Sequence, residues 1–301
     1  MADRDRLGRL SSGNSTRRGS VLLYANITMH ERRLLGTISL LISFGLSACA
    51  NVEKGGPNER WESASQAGAK AAKAGDYKVA ERHYSKAVQE ALHLGDNDPH
   101  LVQSLNDLAS TFAQEKRLGE AQVTYLAVLK RQEHLFGADA PQLVPTLNNI
   151  VRVTCAGGKC GSALPYLERL LSIRKKSLGL YHPDSLLTLQ LIGETYEKEG
   201  KLDKALDYFQ QEVSAKKKLL GRQNLVVVSS SMNVVRVLKA QGDYARAEKL
   251  LKEMLDTEEK YDLGRSQLVD STIKSYQDLL RRTGRATEAT RLTYRSRRKA
   301  A

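Results

Sequence analysis

The chain is poor in the residues that break and fill β-sheets: six prolines and four phenylalanines among 301 residues. Their scarcity argues against a many-stranded sandwich. Catalytic signatures are missing as well. There is no Gly-x-Ser-x-Gly, no phosphate loop and no His-Glu-x-x-His, and the six histidines are scattered. Neither an enzyme nor a cofactor is expected. Cysteines number three, and no histidine lies close in sequence to Cys155 or Cys160, so a metal site would lack ligands. Long hydrophobic runs are absent too. The longest uncharged apolar stretch, Leu34 to Ala48, has 15 residues and is interrupted by Gly36, Thr37, Ser39, Ser43, Gly45 and Ser47. A membrane-spanning helix needs about 20 predominantly apolar residues, so this one is too short and too polar. What remains plentiful is Ala, Leu, Lys, Glu and Gln in long stretches, the composition of helices.

The apolar run has another use. Arg32 and Arg33 precede it as a positive n-region, and it has the length of a secretory h-region. It ends in Leu46-Ser47-Ala48-Cys49, which resembles the bacterial lipoprotein signal, the lipobox, in all four positions. That resemblance implies lipidation of the Cys49 sulfur, cleavage before it and acylation of the new amino terminus. Several acyl chains, at about 0.8 kcal/mol per buried CH₂, make a stable anchor where one binds reversibly. Met29 to Ala48 forms a conventional signal, so translation is expected to start at Met29, with residues 1–28 an extension outside the working protein. Residues 49–60 read as the lipidated cysteine and a flexible tether carrying Gly55, Gly56 and Pro57. Ala50, rather than aspartate, follows the cysteine, and the enteric sorting rule then implies the periplasmic side of the outer membrane. Removing residues 1–48 takes away seven Lys/Arg and three Asp/Glu, so the formal charge falls from +13 to +9. That balance suits an acidic partner, anionic lipid or nucleic acid without choosing among them.

Self-similarity is the strongest signal. Ala80, Ala121, Ala163, Ala205, Ala247 and Ala289 recur at spacings of 41 and then 42 residues. Gly75, Gly158, Gly200, Gly242 and Gly284 sit five residues before their alanines. Tyr84, Tyr125, Leu167, Phe209, Leu251 and Thr293 sit four residues after. A glycine that closes one helix, followed by a small residue where two helices cross, describes a helix–turn–helix unit. A second turn joins the units through Gly95, Gly137, Gly179 and Gly221, with Pro99, Pro141 and Pro183 four residues after the first three. These units resemble tetratricopeptide repeats of the 42-residue kinesin-light-chain type, with "SLGLYHPDSLLTLQLIGETYEKEGKLDKALDYF" as the clearest copy. The resemblance covers about Trp61 to Tyr294. It implies an all-α, right-handed superhelical solenoid of about six repeats and twelve helices, with residues 61–294 in the solenoid and 295–301 a basic tail. The first and last copies are the least regular, as terminal repeats that face water should be.

Each leading helix carries two faces. Leu105, Leu108, Ala109 and Phe112 form a core face in the second copy; Leu147, Ile150, Val151 and Thr154 in the third; Leu189, Ile192, Gly193 and Tyr196 in the fourth. Gln103, Asn106, Ser110 and Ala113 lie on another face, roughly 130° away at ~100° per residue. So do Asn148, Arg152 and Cys155, then Gln190, Glu194 and Glu197, then Met232, Arg236 and Lys239. In the resembled family such faces line a concave groove that holds an extended peptide or a partner helix. Asn106, Asn148 and Gln190 are one repeat apart, and a ladder of amides can donate to and accept from a ligand's backbone. Arg152, Arg236 and Lys239 add a preference for acidic ligands, which Glu194 and Glu197 weaken.

Export would allow a disulfide between Cys155 and Cys160, provided their Cα atoms approach within ~7 Å. Their assignment to different helix faces counts against it. Basic runs at Lys130-Arg131, Arg174-Lys175-Lys176 and Lys216-Lys217-Lys218 complement helix C-termini and form a stripe that would also suit anionic polymer or lipid. His182, before Pro183, reads as structural. The expected function is a lipid-anchored envelope adaptor that binds protein or peptide in its groove. The alternative is a cytoplasmic repeat protein binding nucleic acid or a regulator through its basic surface, recognisable by a strong salt dependence.

Overall fold

The structure, a computed structural model, describes residues 55–95, 98–260 and 267–298. The N-terminal extension, the signal-like run and Cys49 lie outside the described residues. Among the described residues twelve α-helices follow one another: α1 Pro57–Lys73, α2 Tyr77–Leu94, α3 Pro99–Gln114, α4 Leu118–Phe136, α5 Val144–Ala156, α6 Leu164–Ser177, α7 Pro183–Lys198, α8 Leu202–Leu220, α9 Leu225–Gln241, α10 Tyr244–Lys260, α11 Gln267–Arg282 and α12 Ala286–Arg298. No strand occurs among the described residues. Two compact units, up to Thr124 and from Tyr125 onward, divide the chain. In the first, α1 packs on α2, α2 on α3, and α1 on α3. In the second, each helix from α5 to α12 packs on the next, and α9 also reaches α11. The helical part begins at Pro57 rather than Trp61, because Gly56 is extended and proline suits the first helical position. At the other end α12 runs on to Arg298 instead of stopping at 294.

Local chemistry sets these boundaries. Asp98, His182 and Asn224 cap α3, α7 and α9, their side chains accepting from the N–H groups of His100, Asp184 and Val226. The structural role expected of His182 is therefore this cap, through Nδ1 at 3.2 Å. Ala140 holds the equivalent place before α5 and has nothing to offer. There the chain opens with a 3₁₀ turn, Pro141–Leu143, instead of a capped α-helix.

The register alanines Ala80, Ala121, Ala163, Ala205, Ala247 and Ala289 are all completely buried. In four of the repeats the position twelve residues before the alanine answers in size the residue four after it. Gly68 faces Tyr84, and Gly193 faces Phe209. A Cβ on either glycine would lie 2.8 Å or 2.7 Å from the ring, inside van der Waals contact. Where leucine replaces the ring, at Leu167 and Leu251, the same position carries Val151 and Val235. The volumes are matched repeat by repeat, as close packing demands.

Seventeen residues before the alanines runs a second ladder: Ser104, Thr146, Thr188, Ser230 and Thr272, all buried. Ser104 Oγ accepts from the Trp61 indole at 2.8 Å. Thr188 receives Arg174 Nη1 at 2.6 Å, and Ser230 receives Lys216 Nζ at 2.8 Å. Thr272 instead donates to Glu258 Oε1 at 3.0 Å. Arg174, Lys216 and Glu258 are 42 residues apart, so one register position holds cation, cation and anion in turn. A hydroxyl both donates and accepts, so it satisfies either sign. Two junctions also carry an arginine clasp. Arg117 binds Glu81 at 2.7 Å and Glu120 at 2.6 Å; Arg285 binds Glu248 at 2.8 Å and Glu288 at 2.6 Å.

Candidate functional site

The leading helices keep their two faces. In the second unit, Leu147, Ile150, Thr154, Leu189, Ile192, Gly193 and Tyr196 are buried, with Val151 half-buried. On the other face Asn148 and Arg152 of α5 and Arg236 of α9 are exposed, while Cys155, Gln190, Glu194, Glu197, Met232 and Lys239 are half-buried. In the first unit, Gln103 is exposed and Asn106 and Ser110 are half-buried. Ala113, assigned to the same face by helical angle, is buried instead, because a methyl group near the helix end is small enough to be covered.

Hydrogen bonding divides the expected binding residues into two groups. Arg236 donates from Nε and Nη2 to the two carboxylate oxygens of Glu197, each at 2.7 Å, and from Nη1 to Asn233 at 3.0 Å. Its pKa is pushed up, chiefly by the Glu197 hydrogen bonds. Lys239 donates to Asp278 at 2.6 Å, and that bond is the largest influence holding the Asp278 carboxyl below its usual range. These pairs tie α7 to α9 and α9 to α11. At the register eleven residues before the alanines the residues are Arg152, Glu194, Arg236 and Asp278, charges of alternating sign. The ties themselves run diagonally, 39 residues along the chain from Glu197 to Arg236 and from Lys239 to Asp278, and that opposite-sign spacing was present in the sequence. Gln190 donates to Glu194 at 2.8 Å within its own helix. Arg152 touches only the amide oxygen of Asn149, at 3.2 Å and in the open. Free donor capacity on this face is therefore richest on α5, at Asn148 and Arg152, and continues to Gln190.

Cys155 and Cys160 are joined as a disulfide with their Cα atoms 4.2 Å apart. A 3₁₀ turn, Cys160–Ala163, folds the chain back over the end of α5 and brings together residues that an uninterrupted helix would point apart. The basic runs are rearranged too. Arg174 and Lys216 turn inward to Thr188 and Ser230, leaving Lys175, Lys176, Lys217 and Lys218 outside. Among the described residues no helix is long and apolar enough to cross a membrane. Among the same residues no three His, Cys, Asp or Glu side chains are grouped to hold a metal ion.

Solved structures share this architecture, among them the following two. The kinesin light chain TPR-like repeats of Podosopora anserina superpose with a TM-score of 0.53 at 21% identity, covering 69% of this chain and 98% of that one. BtubC (BKLC) from P. vanneervenii gives 0.50 at 18% identity, covering 80% and 95%. None of the curated proteins compared with the chain matches it. The tetratricopeptide repeat profile matches three overlapping stretches, residues 101–176, 142–218 and 184–260. These stretches cover more than half of the chain and hold four of the six buried register alanines, four of the five buried hydroxyls and the α7–α9 tie, and on that ground the chain belongs to the tetratricopeptide-repeat family.

Proposed function

We propose that this protein is a lipid-anchored scaffold of the bacterial envelope, facing the periplasm and holding a protein or extended peptide along its leading helices. A tetratricopeptide fold is suited to protein–protein interaction. The observation that carries the finer reading is the exposed polar patch of Asn148 and Arg152, in which Arg152 has no carboxylate partner among the described residues, continued one repeat on by half-buried Gln190, whose amide oxygen has no donor among the same residues. Arg236 and Lys239 hold adjacent repeats in register, so the acidic-ligand preference rests on Arg152. The anchored, exported half of the reading is supported by the Leu46-Ser47-Ala48-Cys49 resemblance and by the Cys155–Cys160 disulfide, a bond that persists in oxidising compartments.

A photoreactive amino acid placed at Asn148 or at Gln190 in living cells tests the groove, with the exposed Lys249 of α10 as control position. Adducts with a common protein from the two leading-helix positions and none from Lys249 are expected. Adducts from Lys249 alone would move the binding face to the second helices and overturn the reading.

A further inference from the structure

Apolar side chains stand exposed at the turns between repeats, where solvation offers no reason for them. Phe136, Leu178 and Leu220 occupy one register position, the end of each second helix, and are 49%, 48% and 39% exposed. Leu219 and Tyr181 beside them are 50% and 43% exposed. The three turns are neighbours. Lys176 Nζ binds Asp139 at 2.5 Å, which sets the 137–140 turn against the end of α6. Leu180, Tyr181 and Lys218 share the lining of one shallow depression of about 450 Å³, which sets the 178–182 turn against the end of α8. Cations accompany the apolar groups. Lys175, Lys218 and Arg222 are exposed and Lys217 half-buried. Among the described residues none of the four has a carboxylate partner, whereas Asp139 is taken by Lys176 and Glu133 by Arg169. Asp207 also lines the depression.

The geometry points to a second, non-covalent membrane contact: this row of turns rests on a bilayer surface carrying anionic headgroups. A partner helix would need apolar contacts about 5–6 Å apart, the spacing of i, i+3 and i+4 neighbours. Here the groups are separated by whole repeats, on the order of the 8–10 Å between packed helices or more. Single aromatic and leucine side chains spread along a line, with lysines among them, suit the headgroup–acyl boundary, where each inserts independently. Choosing a membrane over a protein as the occupant rests on the anchored reading. Seven residues lie between Cys49 and the start of α1 at Pro57, so the anchor allows a span of roughly 25–30 Å at most.

Vesicle co-sedimentation tests this with the full chain carrying Cys49→Ser, so that no sample is acylated and all share the same N-terminal run. Vesicles of phosphatidylcholine with phosphatidylglycerol are compared with phosphatidylcholine alone. Binding should favour the anionic vesicles and weaken with salt. Combined Phe136→Ser, Leu178→Ser and Leu220→Ser should lower affinity at least tenfold. Lys175→Gln, Lys217→Gln and Lys218→Gln together should lower it on the order of a hundredfold, about fivefold for each cation removed. Because every substituted side chain is exposed or half-buried, an unchanged circular dichroism spectrum will show that folding is intact. Equal binding by all variants, or no preference for anionic vesicles, overturns the proposal. It is also overturned if vesicles are ignored while an acidic amphipathic peptide is bound and lost with the same substitutions, which would make the row a protein site. With acylation removed from every sample, none of these outcomes bears on whether Cys49 is lipidated in cells.

Discussion

Lys116 occupies the place that glycine holds in the other repeats, with φ of 63°, and is the only non-glycine residue with positive φ among those described. A left-handed conformation costs an ordinary residue about 1–2 kcal/mol, part of which glycine returns through its greater freedom in the unfolded chain. Lys116→Gly should therefore stabilise the protein by about 0.5–1 kcal/mol, read as a higher urea midpoint at an unchanged slope. A lower midpoint would mean that the lysine makes a contact worth more than the strain. Gly193 poses the opposite problem, since its Cβ would press on Phe209. Gly193→Ala should cost about 1–3 kcal/mol, and adding Phe209→Leu should recover a good part of that loss, as Val151 beside Leu167 suggests. Strictly additive losses in the double variant would rule out the matched-volume account.

Between helices, stability is carried by polar registers as well as by the core, and these respond to pH with opposite signs. Burial raises the pKa of Glu258 against the hydrogen bond from Thr272. Its contribution is complete below the unfolded value near 4.3 and is lost as pH rises through the folded value. Burial would also raise Glu248, but hydrogen bonds from Lys252, Arg285 and Tyr276 outweigh it and bring the group down to about 2. Its contribution is complete above the ordinary carboxylate range and is lost as pH falls toward 2. Glu258→Gln should thus flatten the decline of Tm from about pH 4 upward, and Glu248→Gln the decline on the acid side. Unaltered Tm–pH slopes would contradict both assignments. Little of this could be read ahead. The 42-residue period, the buried alanines and the helix pairs follow from residue type and spacing alone. The sign carried at a buried register does not, because Arg174, Lys216 and Glu258 answer the same hydroxyl position and only three-dimensional pairing distinguishes them.

For the whole molecule, a formal charge of +13 overstates what a partner would meet. Arg117, Arg236, Lys239 and Arg285 are held by carboxylates, and Arg174 and Lys216 are turned into the junctions. Exposed or half-buried cations without a carboxylate partner among the described residues include Arg152 on a leading helix and Lys175, Lys217, Lys218 and Arg222 along the turns, besides others such as Lys130, Lys201 and Lys249. The sequence placed Arg152, Arg236 and Lys239 together as ligand-binding cations. Their equivalence in helical angle hid the difference made by Glu197 and Asp278, which lie 39 residues away along the chain but one helix away in space. Two faces of distinct chemistry then suit the role proposed above, a repeat scaffold held at a membrane with its leading helices open to a partner. The most direct test is metabolic labelling with a radioactive fatty acid, comparing wild type with Cys49→Ala, together with membrane fractionation. The account predicts label on the wild-type chain alone, with the variant unprocessed or released from the membrane fraction. An unlabelled wild-type chain with its amino terminus intact at Met1 would contradict it.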